Sequence, residues 1–184
     1  NWEDSDALAK RSLDEFGRLD ILVNNAGMSP LYKDIRDVSE DLMDKVLGVN
    51  QKGPFRLSAL LGSAMKENGG GSIINISSIA GERGGPAELP YGGAKAALNN
   101  MTKRFAQMIA PSVRVNCIMP GPFLTDISKA WTGEGLKAME GAVLLNRAGE
   151  PHEIVGPALF LASDASSYMT GSVFAVDGGM LVRA

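Results

Sequence analysis

Residues 19–27 have the sequence LDILVNNAG, a short apolar run that ends in a turn rich in asparagine and glycine. Only Asp20 interrupts the apolar character, and a run of this kind is typical of a strand buried on both faces. Asn24-Asn25-Ala26-Gly27 then closes the strand with turn-forming residues. Strands buried on both faces occur in parallel sheets covered by helices, so this stretch predicts an α/β fold.

Strands and helices alternate along the rest of the chain. Gly53-Pro54 lies within one predicted helix and must kink or interrupt it, because proline lacks a backbone donor. Residues 125–147 have a less regular pattern. Alternating strands and helices imply a parallel sheet with right-handed crossovers. The predicted strands cover residues 19–23, 72–77, 113–119 and 172–176, and the predicted helices cover residues 4–16, 39–68, 91–109 and 150–162.

Length and composition limit the classes of function. The 184 residues carry a net charge of −3 and 45% hydrophobic residues, which is typical of a single globular domain over residues 1–184. Nucleic acid is not an expected partner because no basic stripe can neutralise phosphates. A membrane is not expected either, since the uncharged runs are too short to span a bilayer. With a single cysteine, Cys117, the chain is expected to form no internal disulfide, and with a single histidine, His152, it is expected to hold no metal cluster. A cytoplasmic location is therefore expected.

The helix predicted over residues 91–109 begins with a tyrosine and a lysine four residues apart. This spacing places Tyr91 and Lys95 on one helix face. A lysine ammonium beside a phenol favours phenolate and lowers the tyrosine pKa, so the phenol could exchange a proton with a hydroxyl or carbonyl group. The alternative is a surface tyrosine packed on a lysine stem, and the pair alone does not distinguish the two.

Three other motifs follow the carboxyl ends of predicted strands, where open parallel sheets bind ligands. Ser77-Ser78 could bind a substrate oxygen, and the small residues at 24–27 would let a planar or sugar group approach the backbone. Residues 120–125, PGPFLT, leave the next strand at the same edge. Each motif taken singly is also an ordinary turn.

Together the four motifs resemble the short-chain dehydrogenase/reductase family, and the resemblance covers essentially the whole chain. The family's catalytic serine lies thirteen positions before its tyrosine, which selects Ser78 over Ser77. The family's other signatures fall on the NNAG motif at 24–27, on Asn50, Tyr91, Lys95, Pro120, Gly121 and Thr125, and on the closing residues 170–179.

The resemblance implies a Rossmann-like doubly wound parallel sheet and hydride transfer between NAD or NADP and a secondary alcohol or ketone. Tyr91 would be the general acid/base, and Ser78 would hold the substrate oxygen. Lys95 would lower the Tyr91 pKa and bind the nicotinamide ribose. Asn50 would hold a water that links Lys95 to solvent.

Cofactor contacts and association also follow from the resemblance. The family usually forms homodimers or homotetramers, here through helices around residues 57–65 and 97–105, whose Ala94, Ala97 and Met101 suit close packing. On the cofactor, Asn24, Ala26 and Gly27 would line the adenosine side, and Pro120, Gly121, Phe123 and Thr125 would lie at the carboxamide and pyrophosphate.

The family's glycine-rich pyrophosphate turn, which also precedes the residue that selects NAD or NADP, does not occur in this sequence. We expect about two βαβ turns of the family to be missing and the strand at 19–23 to become an exposed edge. By themselves, the 184 residues are not expected to bind NAD or NADP usefully.

Two function classes therefore remain: part of an active oxidoreductase, or a catalytically silent fragment that only self-associates. A doubly wound binding domain or methyltransferase would leave the Ser78, Tyr91 and Lys95 spacing unexplained. A sugar acid, a polyol or a 3-oxoacyl group would each fit as substrate, with Glu82 and Arg83 as polar contacts. The sequence predicts a partly apolar lid that consists of Phe123, Leu124, Trp131, Met139, Val143 and Leu144.

Overall fold

The computed structural model describes residues 1–126, 128 and 133–183, in which helices alternate with parallel strands. The strands are β1 (Ile21–Asn24), β2 (Gly71–Ile76), β3 (Val113–Pro120) and β4 (Val173–Val176). The helices are α1 (Trp2–Phe16), α2 (Glu40–Leu47), α3 (Gly53–Glu67), α4 (Ala80–Arg83), α5 (Leu89–Ile109), α6 (Gly133–Gly141) and α7 (Val155–Ala162).

The described strands form one parallel sheet in the order β1-β2-β3-β4, which confirms the α/β prediction. Their registers align Asn24 with Asn75. Within the described residues β1 pairs only with β2, so β1 is an edge strand. Ile21 and Val23 are 44% and 47% exposed, which makes the prediction of a strand buried on both faces wrong for this chain. The predicted exposed edge is present instead.

Helices cover both faces of the sheet, as a doubly wound Rossmann-like fold requires. Ile73 and Ile74 are adjacent in β2 and point to opposite faces, because side chains alternate along a strand. One face packs on α3 and α5, and the other packs on α7. The first cluster is Met65, Ile73, Phe105, Ala106, Ile109, Val113 and Val115, and the second is Ile74, Ile118 and Leu161.

The first helix begins earlier than the sequence predicts. Its N-cap is Asn1, whose side-chain oxygen accepts a hydrogen bond from the Asp4 backbone, so the predicted cap at Asp4 or Ser5 is wrong. Phe16 is exposed and does not extend the buried face of α1. Gly17 ends the helix with a φ of 73°, a left-handed conformation that glycine adopts without strain.

The long helix predicted over residues 39–68 is interrupted at the predicted place. Ser39 caps α2, and a π-helical turn over Gly48–Lys52 separates α2 from α3. Pro54 lies in the first turn of α3, where its missing N–H is tolerated. Two short helices, α4 and α6, lie in segments where the sequence predicts a loop or an irregular pattern.

Candidate active site

The predicted catalytic residues lie at the carboxyl edge of the sheet. Ser78 follows β2, and Tyr91 lies in the first turn of α5 with Lys95 one turn later. Asn50 lies in the π-helical turn, and Gly27 follows β1. These residues are up to 68 positions apart in the sequence, but in the structure they lie together at a single site.

The Ser78 hydroxyl faces Tyr91, and Ser77 does not. The Ser78 Oγ atom accepts a hydrogen bond from the Ala80 backbone N–H at 3.1 Å and is hydrogen-bonded to the Tyr91 phenol, which lowers the phenol pKa. Ser77 is buried, and its Oγ donates to the Lys95 carbonyl oxygen at 3.1 Å. Ser77 therefore anchors β2 to α5, while Ser78 remains available to a ligand.

The Tyr91 pKa differs from the expectation. Burial of the ring raises the Tyr91 pKa above 10.0, the Ser78 hydrogen bond lowers it, and the Glu88 carboxylate raises it. Burial has the largest effect because it disfavours the charged phenolate. The prediction that the lysine holds this pKa below its ordinary value is therefore wrong for the protein without ligand. The Lys95 Nζ atom lies 5.6 Å from the centroid of the Tyr91 ring.

Lys95 is a buried amine. Its side chain is 3% exposed, and its Nζ atom donates a hydrogen bond to the Ile76 carbonyl oxygen at 2.8 Å. Burial lowers the Lys95 pKa from 10.5 to about 8. Nearby Cys117 is also buried, and burial raises the pKa of its thiol to about 11. The thiol is therefore neutral at physiological pH, and Lys95 carries most of the charge at this site.

The Asn50 side chain anchors the loop that follows β1. Its Nδ2 atom donates to the Met28 and Val46 carbonyl oxygens at 2.8 and 2.9 Å, and its Oδ1 atom accepts from the Met28 N–H at 3.3 Å. These contacts occupy the amide. Pro54 has no N–H, so the Asn50 carbonyl lacks the donor that an α-helix provides four residues later. The predicted water at Asn50 stays a prediction.

Gly27 lies where the Asn50 and Lys95 side chains meet. A Cβ atom at Gly27 would lie 3.0 Å from the Asn50 Oδ1 atom and 3.4 Å from the Lys95 Nζ atom. Ala26 and Gly27 are both exposed at the edge of the sheet. Gly27 therefore adds no side-chain atom at the point where the buried Asn50 and Lys95 side chains meet.

Asn24 does not line the edge with its side chain. Its Nδ2 atom donates to Ser58 Oγ at 3.0 Å and to Asn75 Oδ1 at 2.8 Å, and the residue is 5% exposed. Asn75 in turn donates to Thr102 Oγ1 at 2.9 Å. The Asn24 side chain is therefore engaged inside the protein, and the place of Asn24 on the adenosine side stays a prediction. A sequence signal existed, since Asn24 and the inward-facing Leu22 are two residues apart in β1.

The segment after β3 leaves the sheet at the same edge. The Pro120 carbonyl accepts a hydrogen bond from the Ile79 N–H at 3.0 Å, and a Cβ atom at Gly121 would lie 2.7 Å from the Asp177 Cα atom. Phe123 forms a parallel bridge with Gly149. Thr125 is exposed, and its N–H donates to Ser128 Oγ at 2.8 Å. These contacts hold the segment beside the serine turn.

The predicted lid is only partly supported. Leu124 and Leu144 are 39% and 51% exposed, but Val143 is 1% exposed, so its assignment to the lid is wrong. Val143 packs against the Gly178 turn, where an added Cβ atom would lie 2.5 Å from the Val143 Cγ1 atom. Trp131 lies outside the described residues.

The Arg83 guanidinium donates hydrogen bonds to residues near the end of the chain. Its Nη1 atom donates to the Arg183 carbonyl oxygen at 3.0 Å and to the Met180 carbonyl oxygen at 3.4 Å. Its predicted contact with a substrate is replaced by this contact with the chain. Tyr32 is not among the predicted site residues, yet its hydroxyl accepts from the Leu89 N–H at 3.0 Å where α5 begins. No spacing rule links residues so far apart in sequence.

None of the described helices combines the length and the apolar character needed to cross a membrane. Residues 1–181 match a family model described as enoyl-(acyl carrier protein) reductase. An uncharacterized oxidoreductase of Thermotoga maritima is 40% identical to the chain in an alignment of 184 positions that covers 96% of this chain and 73% of the relative. Human dehydrogenase/reductase SDR family member 4 is 37% identical, over 96% of this chain and 65% of the relative.

Among solved structures, a gluconate 5-dehydrogenase of Burkholderia cenocepacia, in complex with NADP and tartrate, superposes with a TM-score of 0.95. It is 29% identical in sequence, and the match covers 100% of this chain and 73% of that protein. The chain thus spans between 65% and 73% of the length of these three relatives.

Proposed function

This chain belongs to the short-chain dehydrogenase/reductase family, and from that premise we propose that it carries the catalytic part of an NAD(P)-dependent oxidoreductase. Its substrate would be a secondary alcohol or the corresponding ketone. The observation that carries the proposal is the contact of the Ser78 hydroxyl with the Tyr91 phenol, one helical turn from the buried Lys95. The sheet continues from β1 to β4, so we treat residues 1–184 as a single domain.

The residues present fit a nicotinamide cofactor. Gly27 adds no Cβ atom beside the Lys95 ammonium, which would then be the hydrogen-bonding group offered to ribose hydroxyls at this edge. Lys95 and Tyr91 would hold the nicotinamide ribose, and Pro120, Gly121, Phe123 and Thr125 would lie beside the carboxamide. The bound nicotinamide would supply or accept the hydride. A gluconate 5-dehydrogenase crystallised with NADP and an L-rhamnose 1-dehydrogenase (NAD(P)(+)) are among the relatives.

The hydrogen bond that Ser78 accepts leaves its hydroxyl proton available as a donor. Because its Oγ atom accepts from the Ala80 N–H, the hydroxyl proton is free to point at Tyr91 or at a substrate oxygen. In ketone reduction the Tyr91 phenol would donate a proton to the carbonyl oxygen while Ser78 stabilises the developing charge. Burial raises the Tyr91 pKa, so the phenol has a proton to donate in this step.

Lys95 would take part in the proton supply of the site without a direct hydrogen bond to the phenol, since its Nζ atom donates to the Ile76 carbonyl oxygen. With a pKa of about 8, the amine changes protonation close to physiological pH. A water held by Asn50 would connect it to solvent. The buried position of Lys95 makes its protonation sensitive to any group that closes the edge at Gly27.

Self-association without catalysis is the second candidate function. The observation in its favour is the open edge of β1, where Ile21 and Val23 are 44% and 47% exposed. We also propose a homodimer or homotetramer for the active protein. The predicted contact through Ala94 is wrong, because Ala94 is fully buried in its own chain.

Calorimetry, turnover and light scattering test the proposal. The longest natural form of the protein that contains residues 1–184 is titrated with NADH and NADPH and assayed with a panel of ketones and alcohols, beside its Tyr91→Phe variant. We expect ketone-dependent oxidation of the reduced cofactor that the variant loses. The 184-residue polypeptide by itself is the second sample, and we expect no detectable cofactor binding from it. Self-association with no turnover in the longer form would contradict the oxidoreductase proposal.

A further inference from the structure

Ser78 is held by the short turn that follows it. Its Oγ atom accepts a hydrogen bond from the Ala80 N–H at 3.1 Å, and its carbonyl oxygen accepts one from the Gly81 N–H at 3.0 Å. Both the side chain and the backbone of the serine are therefore fixed to residues 80 and 81. Any displacement of this turn displaces Ser78 with it.

The turn rests directly on the backbone of α5 at Gly81. A Cβ atom at Gly81 would lie 2.9 Å from the Ala96 backbone N atom, 2.9 Å from the Lys95 carbonyl carbon and 3.2 Å from Asn99 Nδ2. Two of these neighbours are backbone atoms, which cannot rotate away. Gly81 belongs to α4, and its φ lies outside the left-handed region, so an alanine would suit its local conformation. Glycine is needed here for close approach alone.

The helix is the less yielding partner of this contact. Leu98 and Thr102 are 1% and 0% exposed, and Phe105 belongs to the core between α5 and the sheet. The Lys95 carbonyl also accepts the hydrogen bond from Ser77 Oγ. Moving α5 would disturb a close-packed interior, so an added atom at Gly81 displaces the turn instead.

We propose that Gly81 is a positioning residue that sets the Ser78 hydroxyl against the Tyr91 phenol by letting the α4 backbone rest on α5. Its catalytic consequence rests on the function proposed above, but its geometric consequence does not. A second contact supports the same arrangement, since a Cβ atom at Gly92, next to Tyr91, would lie 2.7 Å from the Ala80 carbonyl oxygen.

Matched controls exist within the same segments. Gly85 follows α4, has a φ of −81°, and would place a Cβ atom no closer than 3.9 Å to a neighbour, the Glu88 Oε2 atom. Gly93 follows Gly92 in α5, and a Cβ atom there would meet nothing within 4 Å. Gly81→Ala is therefore compared with Gly85→Ala, and Gly92→Ala is compared with Gly93→Ala.

The first measurement is the titration of the Tyr91 phenol, which needs neither cofactor nor substrate. Tyrosinate absorbance is followed against pH in each variant, and the Tyr91→Phe protein identifies the Tyr91 contribution. Because the Ser78 hydrogen bond lowers the Tyr91 pKa, we expect Gly81→Ala to raise that pKa and Gly85→Ala to leave it unchanged. An unchanged Tyr91 titration in folded Gly81→Ala would overturn the proposal, whether or not the protein proves to be an oxidoreductase.

The second measurement compares how much the substitution changes kcat and how much it changes the Kd for the cofactor. A shift of about 1 Å at a reacting group lowers turnover by up to ~100-fold, so we expect kcat of Gly81→Ala to fall ~10- to 100-fold. In the longest natural form of the protein, we expect the Kd for NADPH or NADH to stay within about twofold, because Lys95 remains in place. If circular dichroism shows that Gly81→Ala does not fold, both measurements are made on the Gly92→Ala and Gly93→Ala pair instead. Equal kcat and equal titration in that pair would contradict the proposal.

Discussion

The Lys95 ammonium is directed at the Ile76 carbonyl oxygen, 2.8 Å away, and not at the Tyr91 hydroxyl. The lysine therefore fixes the end of β2 to the first turns of α5, and it does so as a buried cation whose pKa is about 8. A charge buried beside neutral groups destabilises the folded protein relative to the unfolded chain. Stability and catalysis thus impose opposite demands on this residue.

Lys95→Met tests the cost of the buried charge. In the folded state the Lys95 pKa is about 8, below the ordinary 10.5, so below pH 8 the folded protein carries the full penalty of the charge. As the pH rises from 8 to 10.5, the unfolded chain binds more protons and the penalty disappears. We expect the variant to exceed the wild type in unfolding free energy by on the order of 1–3 kcal/mol at pH 7. Urea unfolding at both ends of this range checks the result, and a difference that does not shrink with rising pH would contradict it.

Tyr91→Phe tests the proton transfer. The substitution removes one hydroxyl group and keeps the ring, so the packing around it is retained. General acid/base groups contribute about 10² to 10⁴ in rate, and we expect turnover to fall by that factor. Cofactor affinity should stay near that of the wild type, because Lys95 keeps its contacts. Steady-state kinetics and calorimetry on the same sample check both statements, and wild-type turnover at saturating substrate would exclude Tyr91 as the acid.

Gly27→Ala tests the junction of the lysine and the asparagine. The added Cβ atom would lie 3.0 Å from the Asn50 Oδ1 atom, so the amide must give way and loosen its hold on Met28. We expect turnover to fall by roughly tenfold or more, since sub-ångström shifts at a site are costly.

Gly48→Ala is the control for this substitution. Gly48 has helical backbone angles, and a Cβ atom there would meet nothing within 4 Å. We expect wild-type kinetics from the control. Equal kinetics in the two variants would show that the approach of Asn50 to Gly27 has no role in turnover.

Thr102→Val tests the buried polar chain that ends at Asn24. Thr102 Oγ1 accepts from Asn75 Nδ2 at 2.9 Å and donates to the Leu98 carbonyl oxygen at 2.9 Å. Valine keeps the shape but leaves the buried Asn75 amide without its acceptor, which costs about 1–3 kcal/mol of unfolding free energy. Ser12→Ala removes a similar hydroxyl-to-carbonyl bond on the exposed side of α1, and we expect it to change stability by less than about 0.5 kcal/mol. Urea denaturation of both variants distinguishes burial from the mere loss of a hydroxyl.

The strands and the interrupted helix were predictable because their signals are local. The apolar runs and the Gly53-Pro54 pair define β2, β3 and the break before α3 within two residues. The spacing of Ser78 and Tyr91 predicts their contact because both lie at the carboxyl edge of the sheet. These inferences depend on the spacing of apolar residues and on the direction of the strands, and both follow from the sequence itself.

The errors concern side chains whose surroundings come from distant segments. The Tyr91 pKa is set by burial, and the amount of burial depends on packing that no spacing rule encodes. Arg83 contacts carbonyl groups about 100 residues later in the chain. Val143 is apolar in sequence and equally suited to a lid or a core, and only the Gly178 turn decides between them. Strand alternation, by contrast, already places the Asn24 side chain on the inward face.

The π-helical turn over Gly48–Lys52 rotates α3 about the helix axis relative to α2. One extra residue in a turn advances the following side chains by about 100° relative to an unbroken α-helix. The buried stripe of α2 at Val46 and that of α3 at Leu61 consequently belong to two separate frames. A deletion of one residue within the turn would merge the frames, rotate Leu61 out of its buried position and carry Asn50 off its bonds to Met28. The length of this turn is thus as strictly determined as the identity of the asparagine within it.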